Sequence, residues 1–384
     1  MKFYYGRQHL DRNDFNNILS ASKKEKITQG NYTVEFEDVL KKKFKSKYCS
    51  VVSNGTAALF LAIKSLQLKK GSKIILSPIT FFSSAYTVLM NNLNVDFVDI
   101  EPQTYNLDLN KLEDKIKKNK KNVSAVIAVD YAGHPCDWNS LNFLKKKYNL
   151  KLINDNCHSM GSKINHDMGY AVKFADLVTQ SYHPVKNFTT GEGGSILTNE
   201  LILYERIKSL RNHGMIKKDI YKKTKGSWYY QVNDYGFNFR ISDILCALGV
   251  SQLKKINKFI AKRNIVAKRY NESFSGYDFF KIPIVKKNYF HSYHLYPLQI
   301  NFKKIGISKI FFFKNMEKSN IFLQVHYIPV HTQQFLKKYG FSNKQFPISE
   351  NFYDKQVSLP IYYSLGSKKI KYVISTIKKI LNVK

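Results

Sequence analysis

Apolar runs alternate with helix-like segments along residues 73–154, and this alternation limits the fold more than any other feature of the chain. Runs rich in Val, Ile and Leu predict strands at 73–77, 95–100, 123–129 and 151–154, with helices between them at 83–91, 109–117 and 139–148. Such an order is typical of a mostly parallel sheet covered by helices on both faces. Functional groups in such sheets gather beyond the carboxyl ends of the strands. We therefore predict an α/β protein with its site at that edge.

The flanking segments indicate a large unit followed by a smaller one. Further helices are predicted at 11–25, 33–45, 57–68, 201–213, 241–259 and 260–274, and further strands at 48–52, 175–179 and 195–198. Gly and Pro interrupt the periodicity at 276–283, which marks the expected domain joint. Strands at 293–301 and 321–327 and helices at 308–318 and 368–381 then indicate a smaller α/β unit. We expect a large domain of residues 1–275 and a small C-terminal domain of residues 276–384.

The chain is strongly basic, with 62 Lys and Arg against 28 Asp and Glu and a formal net charge of +34. A basic surface attracts nucleic acids and anionic membranes. The lysines are spread in short clusters, such as 41–43, 117–121 and 145–147, and do not interleave with an aromatic nucleic-acid motif. We interpret them as a solvated surface and expect no nucleic-acid or membrane partner. The alternative outside the enzymes is a basic nucleic-acid-binding protein. An anionic small substrate would also be attracted.

The cysteines and histidines do not form a recognisable metal or disulfide pattern. Cys49, Cys136, Cys157 and Cys246 stand far apart without a CxxC spacing, so reduced thiols and a cytoplasmic location are expected. The histidines at 291, 294, 326 and 331 lack acidic neighbours and an H-E-x-x-H spacing, so we read them as core or substrate-contacting groups and expect no metal. The N-terminus lacks the apolar core of a signal peptide and no run approaches 18 apolar residues, so neither export nor membrane spanning is expected.

Lys186 is the lysine that the sequence singles out for chemistry. It stands in the segment 181–194, SYHPVKNFTTGEGG, between two predicted strands. Glycines such as Gly191 and Gly193 allow the backbone to approach a flat ligand closely. A lysine framed in this way can form a Schiff base with a carbonyl cofactor, whereas a solvated surface charge is the ordinary alternative for a lysine. Lys186 is therefore the candidate catalytic residue.

Other candidates stand at a helix N-terminus and directly after two of the predicted strands. Gly55 and Thr56 would present backbone N–H groups at a helix N-terminus, where the helix dipole favours an anion such as phosphate; an ordinary N-terminal cap is the alternative. Phe81 and Asp155 follow the strands at 73–77 and 151–154. A buried carboxylate needs a cation or several donors, so Asp155 would pair with a protonated pyridine nitrogen or, alternatively, cap the next segment.

Two absent motifs narrow the function further. No G-x-G-x-x-G follows an N-terminal strand, which disfavours a nicotinamide dehydrogenase. No G-x-x-x-x-G-K-S/T phosphate loop is present either, which disfavours a nucleotide hydrolase.

Taken in chain order, the motifs resemble those of the fold-type I aminotransferases that bind pyridoxal 5′-phosphate, and more narrowly the DegT/DnrJ/EryC1/StrS family of sugar aminotransferases. The resemblance extends from about residue 5 to the C-terminal helix. Its carriers are TQG at 28–30, SNGTAAL at 53–59, PITF at 78–81, Asp155 with His158, the segment 181–194, GFNFR at 236–240 and HYIP at 326–329. Lys186 separates the chain from the dehydratase branch of the family, which has His at this position.

The resemblance implies how the residues would hold and use the cofactor ring. Lys186 would bind pyridoxal 5′-phosphate covalently, exchange it for an amino donor and move a proton during the reaction. A free lysine is a poor base at neutral pH, so the site must lower its pKa by desolvation or by a neighbouring cation. Asp155 would pair with the ring nitrogen and Phe81 would stack on the ring. His158 would either form a hydrogen bond with the phenolic oxygen of the cofactor or act on the cofactor indirectly, without contacting it.

The resemblance also implies the phosphate and sugar contacts. Gly55, Thr56 and Ser181 would hold the cofactor phosphate, and Asn238 would reach it from a second subunit. The active form would therefore be a homodimer with active sites shared between subunits. The residues expected to contact the sugar nucleotide are Tyr5, Arg240, His326 and Tyr327.

Within the family, segment 183–194 is most similar to the branch that aminates C4 of a UDP-linked 4-keto-6-deoxy-N-acetylhexosamine for pseudaminic acid synthesis, with L-glutamate as amino donor. Tyr182, Asn187 and Phe188 depart from the usual residues of that branch. Amination of another 4-keto sugar nucleotide, of the bacillosamine or aminoarabinose type, is therefore the nearest alternative. A regulator that keeps the fold without catalysis is a further one.

Overall fold

A computed structural model describes residues 2–119, 122–217 and 219–383. Its centre is a seven-stranded sheet with the spatial order Tyr48–Val52, Gly194–Thr198, Leu177–Ser181, Lys151–Asp155, Val123–Val129, Lys73–Leu76 and Asn94–Phe97. Strand Gly194–Thr198 runs antiparallel to both of its neighbours, and the other pairs in this sheet are parallel. The prediction of a mostly parallel sheet is confirmed.

Helices cover both faces of this sheet, which is why its strands are apolar almost throughout. Alternate side chains of strand Val123–Val129 enter different cores, since Ala125 and Ile127 pack in one and Val126 and Ala128 in the other. The helices of this part of the chain are Arg12–Ser22, Asn31–Phe44, Gly55–Ser65, Ser83–Met90, Leu109–Lys118, Trp138–Tyr148, Tyr170–Phe174, Leu201–Leu210, Asp219–Lys225, Asp243–Lys254 and Ile256–Phe274.

A three-stranded antiparallel sheet organises the C-terminal part, in the order Phe280–Lys281, Tyr296–Ile300, Gln356–Leu359. Helix Ile256–Phe274 contributes Val266 and Tyr270 to the core around this sheet. The joint predicted at 276–283 therefore follows a helix that reaches into the C-terminal core. The helices of this part are Phe302–Ile305, Lys309–Lys318, Gln334–Lys337, Pro347–Lys355 and Ser367–Ile380.

Short strand pairs connect segments that lie far apart in sequence. Phe3–Tyr4 pairs in parallel with Ile321–Phe322, so the N-terminus joins the C-terminal part. The antiparallel pairs are Met215–Ile216 with Gln231–Val232 and Lys163–Ile164 with Tyr289–Phe290. Among the described residues, no helix has both the length and the apolar character needed to cross a membrane.

The turn at residues 28–30 is shaped by a carboxylate from a distant helix. Asp243 accepts hydrogen bonds from the N–H groups of Gly30 and Tyr32, both at 2.9 Å, and from the Thr33 hydroxyl at 2.6 Å. A Cβ atom at position 30 would lie 2.6 Å from the carboxylate oxygen Oδ2 of Asp243. Glycine is therefore required here by the close approach of the carboxylate.

Three of the predicted elements differ in extent from those in the structure. The strand predicted at 321–327 is limited to Ile321–Phe322, because the backbone N–H of His326 donates to the side chain of Gln356 at 3.0 Å instead of joining a strand ladder. The helices predicted at 241–259 and 260–274 divide at Lys255, which ends helix Asp243–Lys254. The sequence marks this point with a polar interruption near Lys254 and Lys255, but the helix limits were set elsewhere because the apolar periodicity continues on both sides of it.

Candidate active site

A cavity of about 460 Å³ opens beyond the carboxyl ends of the parallel strands. The predicted site residues that line it are Tyr5, Gly55, Thr56, Phe81, Asp155, His158, Ser181, Lys186, His326 and Tyr327. They come from segments that span most of the chain, so the fold has brought together groups which the sequence only placed in order.

Lys186 is half-buried in the wall of this cavity, on the loop between strands Leu177–Ser181 and Gly194–Thr198. Its backbone N–H donates to the carbonyl oxygen of His183 at 2.9 Å, which fixes the start of the loop. Burial lowers the pKa of the Lys186 amine, against the opposing pull of Cys157 and Asp155. A lowered pKa increases the neutral fraction of the amine, which is the nucleophilic form.

Asp155 is the last residue of strand Lys151–Asp155 and is buried at the floor of the cavity. One carboxylate oxygen accepts a hydrogen bond of 2.8 Å from the Ser84 hydroxyl, and the other accepts one of 3.2 Å from the N–H of Cys157. The two donors hold the carboxylate with its remaining lone pairs available to the cavity. Ser84 was missed from the sequence, because nothing in its segment distinguishes it from Ser83.

The helix N-terminus at Gly55 forms one end of the cavity. Asn54 caps the helix, since its side-chain oxygen accepts from the N–H of Ala57 at 2.8 Å. The cap leaves the N–H groups of Gly55 and Thr56 in the first turn, where helical amides have no intrahelical partner. A Cβ atom at position 55 would lie 2.7 Å from Cβ of Ser181, so only glycine permits this approach. The cap and an anion site, alternatives at the level of sequence, are therefore compatible with each other in this geometry.

Two aromatic rings form the mouth of the cavity. Phe81 and Phe82 pack with ring centroids 4.1 Å apart, and both line the cavity while remaining 45% and 46% exposed. A large apolar ring that is left exposed inside a cavity is suited to stacking against a flat ligand. Phe82 was not among the predicted residues.

The opposite wall carries the histidine and tyrosine side chains. His158 Nε2 lies 2.8 Å from the hydroxyl oxygen of Tyr327, and the ring centroids of Tyr5 and His326 lie 4.7 Å apart. His326 Nδ1 lies 2.8 Å from the Ser358 hydroxyl. Burial and the nearby amine of Lys186 lower the pKa of His326 to about 3, so this imidazole is neutral near pH 7.

Asn238 and Arg240 lie outside the residues that line this cavity. Asn238 is exposed and forms a single antiparallel bridge with Asn212, while the Arg240 guanidinium donates to the side-chain oxygen of Asn212. Their positions in one chain do not test a role in a site shared between two subunits, so both residues stay predictions.

The cavity fits a flat, anionic ring cofactor that carries a carbonyl group and a basic ring nitrogen. An amine, a buried carboxylate and a helix N-terminus line one space, with exposed aromatic rings beside them. Among the described residues, no group of three or more His, Cys, Asp or Glu side chains is placed so that it could hold a metal ion.

Comparisons with known proteins agree with the fold. The fold and the cavity define an aminotransferase of fold type I. A family model described as the DegT/DnrJ/EryC1/StrS aminotransferase family matches residues 8–378, and the chain belongs to this family.

Curated relatives and solved structures resemble the chain over nearly its whole length. A UDP-4-amino-4,6-dideoxy-N-acetyl-beta-L-altrosamine transaminase of Campylobacter jejuni is 34% identical, over 98% of this chain and 97% of its own. An uncharacterized protein of Methanocaldococcus jannaschii is 33% identical, with the same coverage. The structure of PseC from Helicobacter pylori, an aminotransferase involved in the biosynthesis of pseudoaminic acid, matches with a TM-score of 0.91 and 29% identity, and the match covers 100% of both chains.

Proposed function

We propose that this protein is a pyridoxal 5′-phosphate-dependent aminotransferase that acts on a UDP-linked 4-keto sugar. The substrate would be UDP-2-acetamido-2,6-dideoxy-β-L-arabino-hex-4-ulose and the amino donor L-glutamate. The product would be UDP-4-amino-4,6-dideoxy-N-acetyl-β-L-altrosamine, for pseudaminic acid biosynthesis. The observation that carries the proposal is the placement of Lys186 and Asp155 in one cavity with the helix N-terminus at Gly55. The choice of sugar is supported by the likeness to the Campylobacter jejuni transaminase.

The residues of the cavity wall would hold the cofactor at three points. The first-turn N–H groups of Gly55 and Thr56, with the Ser181 hydroxyl, suit its phosphate. Asp155 suits the protonated ring nitrogen, and Phe81 suits the face of the ring. When bound, pyridoxal phosphate supplies an electron sink that stabilises negative charge on the reacting carbon.

Lys186 would provide both the covalent anchor and the proton transfer. Its amine, with a pKa lowered by burial, is neutral more often than an exposed lysine and can act as a nucleophile. After the amino donor has displaced it, Nζ of Lys186 would take a proton from the reacting carbon of the donor and deliver it to the carbonyl-derived carbon of the cofactor. In the other half-reaction it would move a proton in the opposite direction, from that cofactor carbon to the sugar carbon. Ser84 and the N–H of Cys157 both donate to Asp155, so its carboxylate would stay oriented toward the ring nitrogen.

The sugar nucleotide would contact the wall that carries Tyr5, His326 and Tyr327. Neutral His326 can exchange hydrogen bonds with sugar hydroxyl groups without adding charge. Among the described residues, the cavity lining contains no arginine and a single lysine, Lys186. The diphosphate therefore requires basic groups from elsewhere, and we assign Arg240 to this contact.

A homodimer would complete the site. The segment that precedes Asn238 and Arg240 exposes large aromatic side chains, with Trp228 77% exposed and Tyr235 89% exposed. Exposed aromatic groups of this size mark surfaces that contact another molecule. We assign this segment to the contact with a second copy, which would bring Asn238 to the partner's cofactor phosphate.

The four free, buried cysteines support a reducing, cytoplasmic location.

Product analysis with defined substrates tests the function. The purified protein should turn yellow with pyridoxal phosphate, and L-glutamate should bleach the band as 2-oxoglutarate forms. Lys186→Ala should abolish the band and turnover, whereas Lys368→Ala, at an exposed position, should leave both unchanged. Wild type that stays colourless with added cofactor contradicts the proposal and leaves the nucleic-acid-binding alternative, whose mark is salt-dependent binding to DNA or RNA.

The same assay decides between sugars. UDP-linked 4-keto sugars of the L-arabino, bacillosamine and aminoarabinose types are offered separately, and the amino sugar formed is identified by mass and NMR. Amination of the L-arabino 4-ulose with the highest kcat/KM supports the proposed substrate. Failure on that sugar, with turnover of another, retains the aminotransferase and removes the specific assignment.

A further inference from the structure

His158 is oriented by a backbone donor on the side away from the cavity. The N–H of Ala132 donates to His158 Nδ1 at 3.3 Å. Ala132 has a φ of 57°, a region that residues with a side chain rarely occupy, within the turn Tyr131–Gly133. Because an amide N–H can only donate, Nδ1 must present its lone pair.

The imidazole of His158 is also neutral. Burial lowers the pKa of His158 well below its ordinary value, and the positive charge of Lys186 acts in the same direction. A neutral imidazole carries one proton, and with Nδ1 acting as acceptor that proton must be on Nε2. The contact of 2.8 Å between His158 Nε2 and Tyr327 Oη is therefore donated by the histidine.

Tyr327 keeps its own proton and has to donate it elsewhere. Burial raises the pKa of the Tyr327 hydroxyl well above its ordinary value, so this hydroxyl is protonated near pH 7. Among the described residues, Tyr327 Oη pairs with His158 Nε2, and this nitrogen occupies an acceptor position of the hydroxyl oxygen. Tyr327 lines the cavity, so its O–H is available to a ligand there.

The segment that carries Tyr327 is held on several sides. The Tyr131 hydroxyl donates to the carbonyl oxygen of His326 at 2.5 Å. The backbone N–H of His326 donates to the Gln356 side chain at 3.0 Å, and His326 Nδ1 pairs with Ser358. These contacts restrict the backbone beside Tyr327, so its hydroxyl has a defined direction and little freedom to turn away from His158.

We propose that His158 is a positioning residue which acts on the ligand through Tyr327, by making the tyrosine an obligatory hydrogen-bond donor to an oxygen atom in the cavity. The inference rests on the proposed function and deepens it. The acceptor is an oxygen with full or partial negative charge, and that function offers two: the phenolic oxygen of the cofactor and the keto oxygen of the sugar. The resemblance left two roles open for His158, a direct bond to the phenolic oxygen or an indirect role, and the proposal takes the second, with Tyr327 as the intermediary.

A double-mutant cycle tests the coupling. Tyr327→Phe, His158→Leu and the double variant are compared by cofactor affinity, by the pH dependence of the cofactor's absorption and by kcat and KM. We expect a loss of about ten- to hundredfold for either single variant and no further loss for the double variant, since both remove the same hydrogen bond. His158→Gln should recover much of the loss, because its amide N–H can still donate to Tyr327.

The readouts distinguish the two acceptors. A phenolic acceptor shifts the spectroscopic pKa of the cofactor-loaded protein in both single variants without any sugar present. A keto acceptor leaves that pKa unchanged and lowers kcat with little change in KM. Tyr270→Phe, which removes a buried hydroxyl bonded to the carbonyl oxygen of Pro360 at 2.8 Å, serves as the matched control and should change neither readout.

Three results would overturn the proposal. The first is additive losses in the double variant, and the second is a His158→Leu effect with no Tyr327→Phe effect. The third result is a proton on Nδ1 of His158, measured by ¹⁵N NMR of the cofactor-free protein. The His158 signal is assigned as the one that is missing in His158→Gln. A proton on Nδ1 contradicts the inference whatever reaction the protein catalyses. Failure of wild type to bind cofactor or turn over, with Nε2 protonated, instead contradicts the proposed function alone.

Discussion

The hydroxyl of Ser84 lies 2.8 Å from a carboxylate oxygen of Asp155, although the two residues are 71 positions apart. Ser84 is itself 2.9 Å from the Thr80 hydroxyl, so a short chain of hydroxyl groups leads to the carboxylate. Helix Ser83–Met90 therefore orients the carboxylate at the end of strand Lys151–Asp155.

Ser84→Ala should weaken the binding of pyridoxal phosphate about tenfold. The substitution removes the hydroxyl that donates to Asp155 and leaves the N–H of Cys157, so the carboxylate is less well oriented toward the ring nitrogen. Affinity is measured by absorption during cofactor titration. Ser375→Ala, which removes an exposed hydroxyl, is the control, and equal affinities in the two variants would show that Ser84 does not support the site.

Gly55→Ala should lower cofactor affinity by at least tenfold. The new Cβ atom would lie 2.7 Å from Cβ of Ser181, so the helix N-terminus must move away from the strand and its N–H groups lose their alignment. Gly276→Ala, where nothing lies within 4 Å of the new atom, controls for the loss of a glycine. Titration with inorganic phosphate as a competitor checks that the effect falls on the phosphate end; an unchanged competition constant contradicts this prediction.

Lys186→Met should stabilise the cofactor-free protein at pH 7. Burial lowers the pKa of Lys186 in the folded state from 10.5, so the unfolded state binds more protons between the lowered value and 10.5. The free energy of unfolding of wild type therefore rises with pH across that interval, and the advantage of the variant shrinks there. Urea unfolding at a series of pH values measures this difference. A constant difference, or the same behaviour in Lys368→Met, would oppose the prediction.

Arg263→Met should lower the free energy of unfolding by about 2–4 kcal/mol. The buried guanidinium donates to the carbonyl oxygens of Tyr293, His294 and Ile361, at 3.1, 3.1 and 2.8 Å. These carbonyls would remain buried without this donor. Lys268→Met, at an exposed position of the same helix, should change stability by less than about 0.5 kcal/mol. Chemical denaturation that finds the two variants equally stable would contradict this role.

Much of the site was accessible from the sequence because its residues follow predicted strands. Lys186, Asp155 and Phe81 were expected at one edge of a parallel sheet, and all three line the cavity. The supporting contacts were not accessible. Ser84 and Ser358 are ordinary serines in sequence, and only the packing of their elements against the cavity wall distinguishes them.

The limits of helices and strands also divide into those that the sequence predicts and those that depend on contacts between distant segments. Strand Val123–Val129 was predicted with its observed ends, because an apolar run buried on both faces is a strong local signal. The strand predicted at 321–327 was too long, because side chains of Gln356 and Ser358 bind the His326 end of the segment. The helix Pro347–Lys355 and the strand Gln356–Leu359 were missed.

The sequence by itself determined the alternation of strands and helices, the mostly parallel sheet and the order of the candidate catalytic groups, because periodicity and strand-end position are local properties. Only the tertiary structure decided which donor orients Asp155, why position 55 must be glycine and that His158 faces Tyr327. Those relationships depend on distances between segments that are far apart in the chain. Such distances are set by packing of the cores, which no short stretch of residues encodes.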